Sequence, residues 1–173
     1  MFLTAKNLTH DDFRSFGNVI EREGEPASVN SGLSKKWSLS VSQSQVPDPV
    51  DFVILETRYS ALVVEELGRH VYSNQCFVPH AETPFVVVVA EAELGRPSDA
   101  DFFAFVSNGL QGISFDPGTW HSVILPVTAG VISFTSWMKK SPEPDVEFVK
   151  LKPAVHVHVV KSDGEGNEDA DKG

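Results

Sequence analysis

Three side chains with types suited to acid–base or metal chemistry stand at predicted strand ends, namely His70, Gln75 and His121. His70 and Gln75 flank Tyr72-Ser73-Asn74, so a hairpin turn there would let both side chains point into one cavity. An imidazole transfers protons near neutral pH and also binds metal ions. With His121 added from a distant strand, the three side chains would form a cluster of two histidines and one amide.

His121 opens a predicted strand over residues 120–125, after a loop rich in glycine and asparagine. Period-two alternation places His121, Val123 and Leu125 on one face of that strand. Burying an imidazole costs free energy unless both ring nitrogens find partners. His121 is therefore either a site residue or a hydrogen-bonded core residue, and the strand pattern alone leaves both interpretations open.

The elements that must position these side chains are predicted to be almost all β-strands. One short helix is expected near the start, over Leu8–Gly17, with Thr9 as its N-cap and Gly17 in a left-handed position after its end. Many short strands with few helices favour a sandwich or a barrel-like jelly roll. Turn residues separate the predicted strands, which are Lys36–Ser42, Phe52–Arg58, Ala61–Leu67, Gln75–Pro79, Phe85–Glu91, Phe102–Val106, Trp120–Leu125, Gly130–Trp137 and Ala154–Val160.

One predicted strand stands out because it is apolar without alternation. Phe85-Val-Val-Val-Val-Ala90 should therefore be buried on both faces at the centre of a sheet. Residues 1–161 are expected to form a single domain around such a core. The acidic stretch 162–173 has too few apolar residues to bury and should be disordered.

Composition narrows the classes of partner. The 173 residues carry a formal net charge of −10 with no basic stripe, which argues against nucleic acid and favours a small-molecule ligand. The single cysteine, Cys76, excludes an intramolecular disulfide and fits a reducing cytoplasm. No stretch has the length needed to cross a bilayer, so neither membrane insertion nor export is expected.

Several motifs, in order along residues 8–138, resemble the ureidoglycolate lyase family. They are Phe13-x-x-Phe-Gly-Asn-Val-Ile-Glu21, Asn30-Ser-Gly32, Arg69-His-x-x-x-x-Gln-x-Phe-x-Pro79, Phe85–Ala90, Asn108-Gly-x-Gln-Gly112 and Gly118-x-Trp-His121. The resemblance implies a cupin-type double-stranded β-helix, a homodimer, and a lyase that splits ureidoglycolate into glyoxylate and urea during allantoin breakdown. It also implies a divalent metal, nickel or zinc, and no organic cofactor.

The resemblance assigns roles to five positions of this chain. His70 and His121 would be catalytic, or His70, Gln75 and His121 would instead hold the metal. Asn30, Lys36 and Gln75 could bind the substrate, although Asn and Lys side chains are more often simply solvated. Such histidines could take the substrate hydroxyl proton or protonate the leaving nitrogen.

One position departs from the family pattern. Gly68 stands where family members usually carry a glutamate, so the first ligand of the cupin metal motif is missing. Glu66, on the same predicted strand face as His70, is a conceivable substitute. The alternative function is therefore a cupin that has lost its metal site and serves as a ligand-binding or regulatory module.

Overall fold

The described part of the protein is mainly β, as predicted, with one short helix. The computed structural model describes residues 1–22, 24–29, 34–36, 50–91, 95, 97, 102–139 and 144–160. In chain order the elements are β1 Phe2–Thr4, β2 Lys6–Asn7, α1 His10–Phe13, β3 Gly17–Ile20, β4 Ala27–Val29, β5 Ser34–Lys36, β6 Val50–Arg58, β7 Val63–His70, β8 Gln75–Pro79, β9 Phe85–Ala90, β10 Phe102–Val106, β11 Gly112–Phe115, β12 Trp120–His121, β13 Leu125–Pro126, β14 Val131–Lys139 and β15 Val146–His158.

Most strands form two sheets. The larger sheet has the order β1-β15-β7-β12-β9-β10-β2, with β13 also paired to β9, and the smaller sheet has the order β3-β11-β8-β14-β6. Strands β1 and β2 follow one another in the chain but lie at opposite ends of the larger sheet. That sheet therefore curls back on itself, which gives the jelly-roll architecture of the cupin type.

The apolar side chains form two clusters, one on each face of the larger sheet. The inter-sheet core packs the larger sheet against the smaller one and comprises Leu8, Phe13, Phe16, Val19, Phe77, Phe85, Val87, Val89, Phe105, Ile113, Phe115, Ile124, Ile132 and Phe134. The inner core lies inside the curl of the larger sheet and comprises Val64, Leu67, Val88, Ala90, Phe102, Ala104, Trp120, Leu125, Val149 and Val155. Strand β9 supplies both clusters from its two faces, which confirms the predicted burial of Phe85–Ala90.

The helix near the N-terminus is shorter than the predicted Leu8–Gly17. Its cap is as expected, because the backbone N–H of Asp12 donates to Thr9 Oγ1 at 3.2 Å. Gly17 has a positive φ of 149°, but it opens strand β3 rather than following the helix directly. A side chain at this position would overlap the carbonyl oxygen of Ser114 on the neighbouring strand β11.

The predicted strand over 120–125 is wrong as a continuous element. It is two short strands, because the Ser122 hydroxyl accepts from the backbone N–H of Val88 at 3.0 Å and donates to the carbonyl of Val123 at 2.8 Å. This side chain occupies a place that the backbone would take in a regular ladder. As a result Leu125 packs in the inner core, Val123 is exposed, and neither shares the His121 environment.

Other predicted elements lie partly or wholly outside the described residues. Of the strand predicted over Lys36–Ser42, only Lys36 is described, as the last residue of β5, and the stretch 162–173 is not described. Within the described part of the chain, no helix is both long and apolar enough to cross a membrane.

Candidate active site

The three predicted site residues come together where the two sheets meet. His70 ends β7 in the larger sheet, Gln75 begins β8 in the smaller sheet, and His121 ends β12 in the larger sheet. The expected hairpin between His70 and Gln75 is wrong, because β7 and β8 belong to different sheets. The connection over residues 71–74 instead carries the chain across the barrel, so the two side chains face each other from opposite walls.

That connection is held at both ends by hydrogen bonds. The N–H of Val71 donates to the carbonyl of Asp145 at 2.9 Å, and the N–H of Tyr72 donates to Asp145 Oδ1 at 2.7 Å. The Ser73 hydroxyl donates to the carbonyl of Lys139 at 2.8 Å. Because its backbone is tied to two neighbouring segments, this crossing positions His70 and Gln75 firmly.

His121 lies against the inter-sheet core, with Thr119 beside one ring nitrogen and Gln75 beside the other. Its ring stacks on Phe115 with a centroid distance of 4.0 Å and an interplanar angle of 12°. Its Nδ1 lies 2.9 Å from the carbonyl oxygen of Thr119, which can only accept, so Nδ1 carries the proton. The remaining Nε2 therefore carries the lone pair and lies 3.3 Å from Gln75 Oε1. An amide oxygen only accepts, so a hydrogen bond between these side chains needs the Gln75 amide turned with its NH2 group toward Nε2.

The environment keeps His121 neutral. Burial lowers its pKa to about 4, the nearby His70 contributes in the same direction, and the hydrogen bond to Thr119 opposes both. At neutral pH the ring is therefore an uncharged acceptor.

His70 is the second histidine, and it has a carboxylate behind it. Its ring lies 6.3 Å from that of His121, measured between centroids, at an interplanar angle of 27°. Its Nδ1 lies 3.6 Å from Asp145 Oδ2, which is longer than a hydrogen bond but close enough for the carboxylate to attract the ring once the ring is protonated. Burial lowers the pKa of His70, while Asp145 and a hydrogen bond to Gln75 partly oppose that shift.

Asp145 is the site residue that the sequence analysis missed. It is 9% exposed, and neither its Oδ2 nor Nδ1 of His70 has a hydrogen-bond partner among the described residues. It reaches the site because β15 pairs with β7 in a register that sets Val146 opposite His70. The local sequence gave no signal for this, since it is a property of a long-range strand pairing.

The donor set fits a metal ion poorly. His121 Nε2 and Gln75 Oε1, 3.3 Å apart, have the spacing of neighbouring ligands around an ion with bonds of about 2.1 Å. All three predicted ligands are neutral, however, and no three His, Cys, Asp or Glu side chains of the described residues converge as a metal cluster. These residues therefore do not make a tight divalent site.

Gly68 explains part of this poor fit. It lies directly opposite His121 in one strand pair and opposite Phe148 in the other. A Cβ built at Gly68 would lie 3.2 Å from Phe148 Cε1, so an aromatic edge occupies the space in front of this position. Glu66 is exposed two residues before Gly68, opposite Lys150, and does not join the cluster.

Comparison with known proteins identifies the family. The family model described as ureidoglycolate lyase matches residues 1–158. The chain belongs to the ureidoglycolate lyase family. A protein named ureidoglycolate lyase from Stutzerimonas stutzeri is 34% identical over 131 residues, covering 72% of this chain and 76% of the relative. One from Chelativorans sp. is 30% identical over 130 residues, covering 72% of this chain and 78% of the relative. Among solved structures, a dTDP sugar isomerase from Desulfovibrio desulfuricans has a TM-score of 0.49 at 13% identity, covering 76% of this chain and 82% of that chain.

One family-like motif of this lyase-family chain is structural. Asn108 Oδ1 accepts from the N–H groups of Leu110 and Gln111, at 2.9 and 3.2 Å, and Gln111 Oε1 accepts from the N–H of Asn108 at 3.1 Å. Gln111 Nε2 donates to the carbonyl of Leu8 at 3.0 Å and to Glu21 Oε2 at 3.0 Å. The motif therefore fixes a turn and joins it to the N-terminal segment.

The other substrate-binding positions predicted for this lyase-family chain are not resolved by the geometry. Asn30 lies outside the described residues, and Lys36 is described only by its backbone, so both remain predictions.

Arg69 points away from His70, as expected for adjacent strand residues, and its Nη2 pairs with Glu147 Oε2 at 2.7 Å. Its guanidinium also lies 4.6 Å from the ring centroid of Trp120.

Two cavities flank β7. The one of about 760 Å³ includes Arg69 and Thr119 in its lining and lies on the side of the strand to which Arg69 points. The one of about 500 Å³ includes Gly68, Val123 and Phe148. The linings of these two cavities do not include His70, Gln75 or His121, so neither cavity opens directly onto the three side chains.

Proposed function

We propose that this chain cleaves ureidoglycolate into glyoxylate and urea, as a step of allantoin breakdown in the cytoplasm. The observation that carries the proposal is the convergence of His70, Gln75 and His121, with Asp145 behind His70, in a member of this family. The lone buried cysteine, Cys76, supports the reducing compartment.

The reaction needs only proton transfers. Ureidoglycolate carries a hydroxyl group and a ureido nitrogen on the same carbon. When a base removes the hydroxyl proton, the oxygen forms the aldehyde C=O of glyoxylate and the C–N bond electrons pass to nitrogen. That nitrogen takes up one proton and leaves as urea, so the base returns what it removed and nothing is oxidised or reduced.

The geometry distinguishes the roles of the two histidines. His70 is the proton acceptor, because Asp145 stabilises the positive charge that its ring gains during transfer. His121 stays neutral and offers its Nε2 lone pair to a substrate O–H or N–H, since Thr119 holds its tautomer. Gln75 lies between the two sheets and orients the substrate through its amide.

The test is to incubate the purified protein with racemic ureidoglycolate and to quantify glyoxylate, urea and ammonia. Equimolar glyoxylate and urea above the spontaneous rate are expected, and His70→Ala and His121→Ala should each lower kcat by about 100-fold. His80→Ala is the matched control, because His80 is exposed and its Nε2 lies 2.8 Å from Thr135 Oγ1. Release of ammonia would indicate a hydrolase, and full activity in both variants would remove the histidines from the mechanism.

A binding module without catalysis is the second candidate, and Gly68 is the observation that favours it. Three neutral donors do not compensate the charge of a divalent ion. We therefore expect His70, Gln75 and His121 to bind nickel or zinc only weakly. Gly68→Glu would add an anionic ligand on the same face, and the exposed Phe148 ring is able to turn aside. Titration calorimetry should show tighter metal binding in Gly68→Glu, and no turnover by either protein would favour the binding module.

We also propose that the protein is a homodimer, as the family resemblance implies.

A further inference from the structure

The cavity of about 760 Å³ beside β7 lies on the face of that strand to which Arg69 points, away from the imidazole of His70. None of the three predicted site side chains lines it. The charged groups among its described lining residues are Arg69, Glu91 and Asp116. The proposed lyase reaction uses none of these three side chains.

The Arg69 guanidinium has donors left for a ligand. Its side chain is 16% exposed and lies over the Trp120 ring, which fixes its position. Nε and Nη2 both contact one oxygen, Glu147 Oε2, at 2.8 and 2.7 Å. Nη1 has no hydrogen-bond partner among the described residues, so the N–H pair at the end of the guanidinium is available to a carboxylate.

Asp116 supplies an acceptor that lacks a donor. Its Oδ1 is buried and has no hydrogen-bond partner in the described part of the chain. Its backbone, by contrast, is bonded on both sides, because its N–H donates to the Phe16 carbonyl at 2.9 Å and its C=O accepts from the Thr119 N–H at 3.1 Å. Leaving a buried carboxylate oxygen without a donor costs free energy. This position therefore fits a donor group that a bound molecule supplies.

The signs of the three charges select a class of ligand. A simple anion drawn to Arg69 would also meet the carboxylates of Glu91 and Asp116, and a simple cation would meet the guanidinium. A molecule with a carboxylate at one end and an ammonium group at the other pairs with both signs. The charged lining residues are therefore complementary to a zwitterion.

We propose that this cavity is a second binding site, which takes a small zwitterion of the amino-acid class. The ligand carboxylate binds the free N–H pair of Arg69, and the ligand ammonium group donates to Asp116, with Glu91 adding attraction for the same positive charge. This inference goes beyond the proposed lyase reaction, because neither imidazole takes part in the binding.

The cavity shares one turn with the candidate active site. The Gly118 N–H donates to the carbonyl of His70 at 2.7 Å, and the Thr119 carbonyl lies 2.9 Å from His121 Nδ1. Gly118 and Thr119 both line the cavity. A bound zwitterion would thus lie against the turn that holds both histidines without touching either ring, so the two sites are adjacent but chemically separate.

The first test follows the indole N–H signals of the full chain by NMR. The Trp120 Nε1–H donates to the carbonyl of Gly95 at 3.2 Å, and Gly95 lines the cavity, whereas Trp137 lies on β14 and serves as the internal control. The probes are glycine, β-alanine and γ-aminobutyrate, which differ in the spacing of their two charges. At least one of them should shift the Trp120 signal saturably and leave the Trp137 signal in place.

Acetate and methylammonium carry only one of the two charged groups each. Both should bind at least tenfold more weakly than the best zwitterion, because each leaves one end of the site without a partner. No shift with any of the three zwitterions, or equal binding of either one-ended probe, overturns the proposal.

Two conservative variants test the assigned contacts. Arg69→Lys keeps the charge but loses the paired N–H groups, and Asp116→Asn keeps the shape but loses the charge, so each should weaken zwitterion binding about tenfold. Asp116→Asn should not lower the melting temperature, because the buried Oδ1 has no bond to lose. The matched controls are Arg58→Lys and Asp51→Asn, both at exposed positions of β6, and they should bind as the wild type does. Unchanged affinity in both cavity variants refutes the site.

His70→Ala separates this site from the lyase chemistry. It removes an imidazole of the candidate active site but keeps the backbone carbonyl to which Gly118 donates, so zwitterion binding should persist. Loss of binding in this variant would place the probe at the histidines and overturn the proposal. The glyoxylate assay on the same samples reports the lyase activity separately, so a failure of one proposal is not mistaken for a failure of the other.

Discussion

Strands β9 and β6 have similar sequences and opposite environments. Phe85-Val-Val-Val-Val-Ala90 is buried on both faces between two cores, whereas Phe52-Val-Ile-Leu55 is exposed on both faces at a sheet edge. Both runs would be assigned to a covered strand by the same rule. The comparison teaches that an apolar run predicts coverage without specifying whether the cover comes from the same chain or from another.

The two strands also differ in what they support. Val89 of β9 pairs directly with His121, so β9 forms the back of the candidate active site. Strand β6 is separated from Gln75 on β8 by the whole of β14. Substitutions in β9 should therefore affect both stability and catalysis, and those in β6 should leave catalysis unchanged.

The largest expected effect is that of a charge in β9. Val89→Asp would bury an unpaired carboxylate in the inter-sheet core and should destabilise the fold by more than ~4 kcal/mol. Ile54→Asp, the same kind of change in β6, should leave the monomer folded. Urea denaturation of both variants measures the difference, and equal losses of stability would abolish the distinction between the strands.

The second-largest expected effect is a dependence of the unfolding free energy on pH. It comes from His121, which pairs with Val89 of β9. The pKa of His121 is about 4 in the folded protein and 6.5 in the unfolded chain, so the unfolded chain binds the extra proton between these values. The free energy of unfolding should therefore fall as the pH drops from 6.5 to 4, by up to ~3 kcal/mol. His70, whose pKa is also lowered, acts in the same direction.

His121→Gln is the variant that isolates this contribution. It should flatten the difference in unfolding free energy between pH 7 and pH 4.5, and Ile54→Glu should leave that difference unchanged. A pH dependence that survives His121→Gln in full would show that the ring is accessible to protons in the folded state.

A smaller effect is expected at Asp145. Asp145→Asn keeps an acceptor for the Tyr72 N–H but removes the charge behind His70, so kcat should fall about tenfold with little change in KM. Glu147→Gln is the matched control, because Glu147 pairs with Arg69 on the opposite side of β7. Equal activities of the two variants would make Asp145 a structural anchor only.

The smallest effect belongs to the acidic stretch 162–173. Its composition predicts disorder, so truncation after Lys161 should leave both the melting temperature and the dimer unchanged within error. A fall in either quantity would show that this stretch packs against the domain.

Much of the fold could be predicted from local patterns. The burial of β9 and the cap at Thr9 are confirmed, because each depends on residue type and spacing within one element. The structure also brings His70, Gln75 and His121 close together, but by a crossing between the two sheets and not by the expected hairpin. Strands β3 and β11 were not predicted, since four residues are too few for a period to emerge.

The remaining features depend on interactions between distant segments. The break after His121 comes from the Ser122 hydroxyl, which bonds to strand β9. A serine in the sequence does not by itself indicate such a bond. Asp145 reaches His70 only through the register of β15 on β7. The exposure of β6 likewise follows from its place in the sheet order rather than from its sequence.

The pairing of β15 with β7 has a consequence for how quickly the protein becomes active during refolding. It joins Arg69 to Glu147 across 78 residues of chain, and such distant pairings form late because loop closure costs entropy before any contact compensates it. Asp145 arrives at His70 in that same step. Activity should therefore return with the slowest refolding phase, after most secondary structure has formed. A folding intermediate that precedes this step would be compact and inactive.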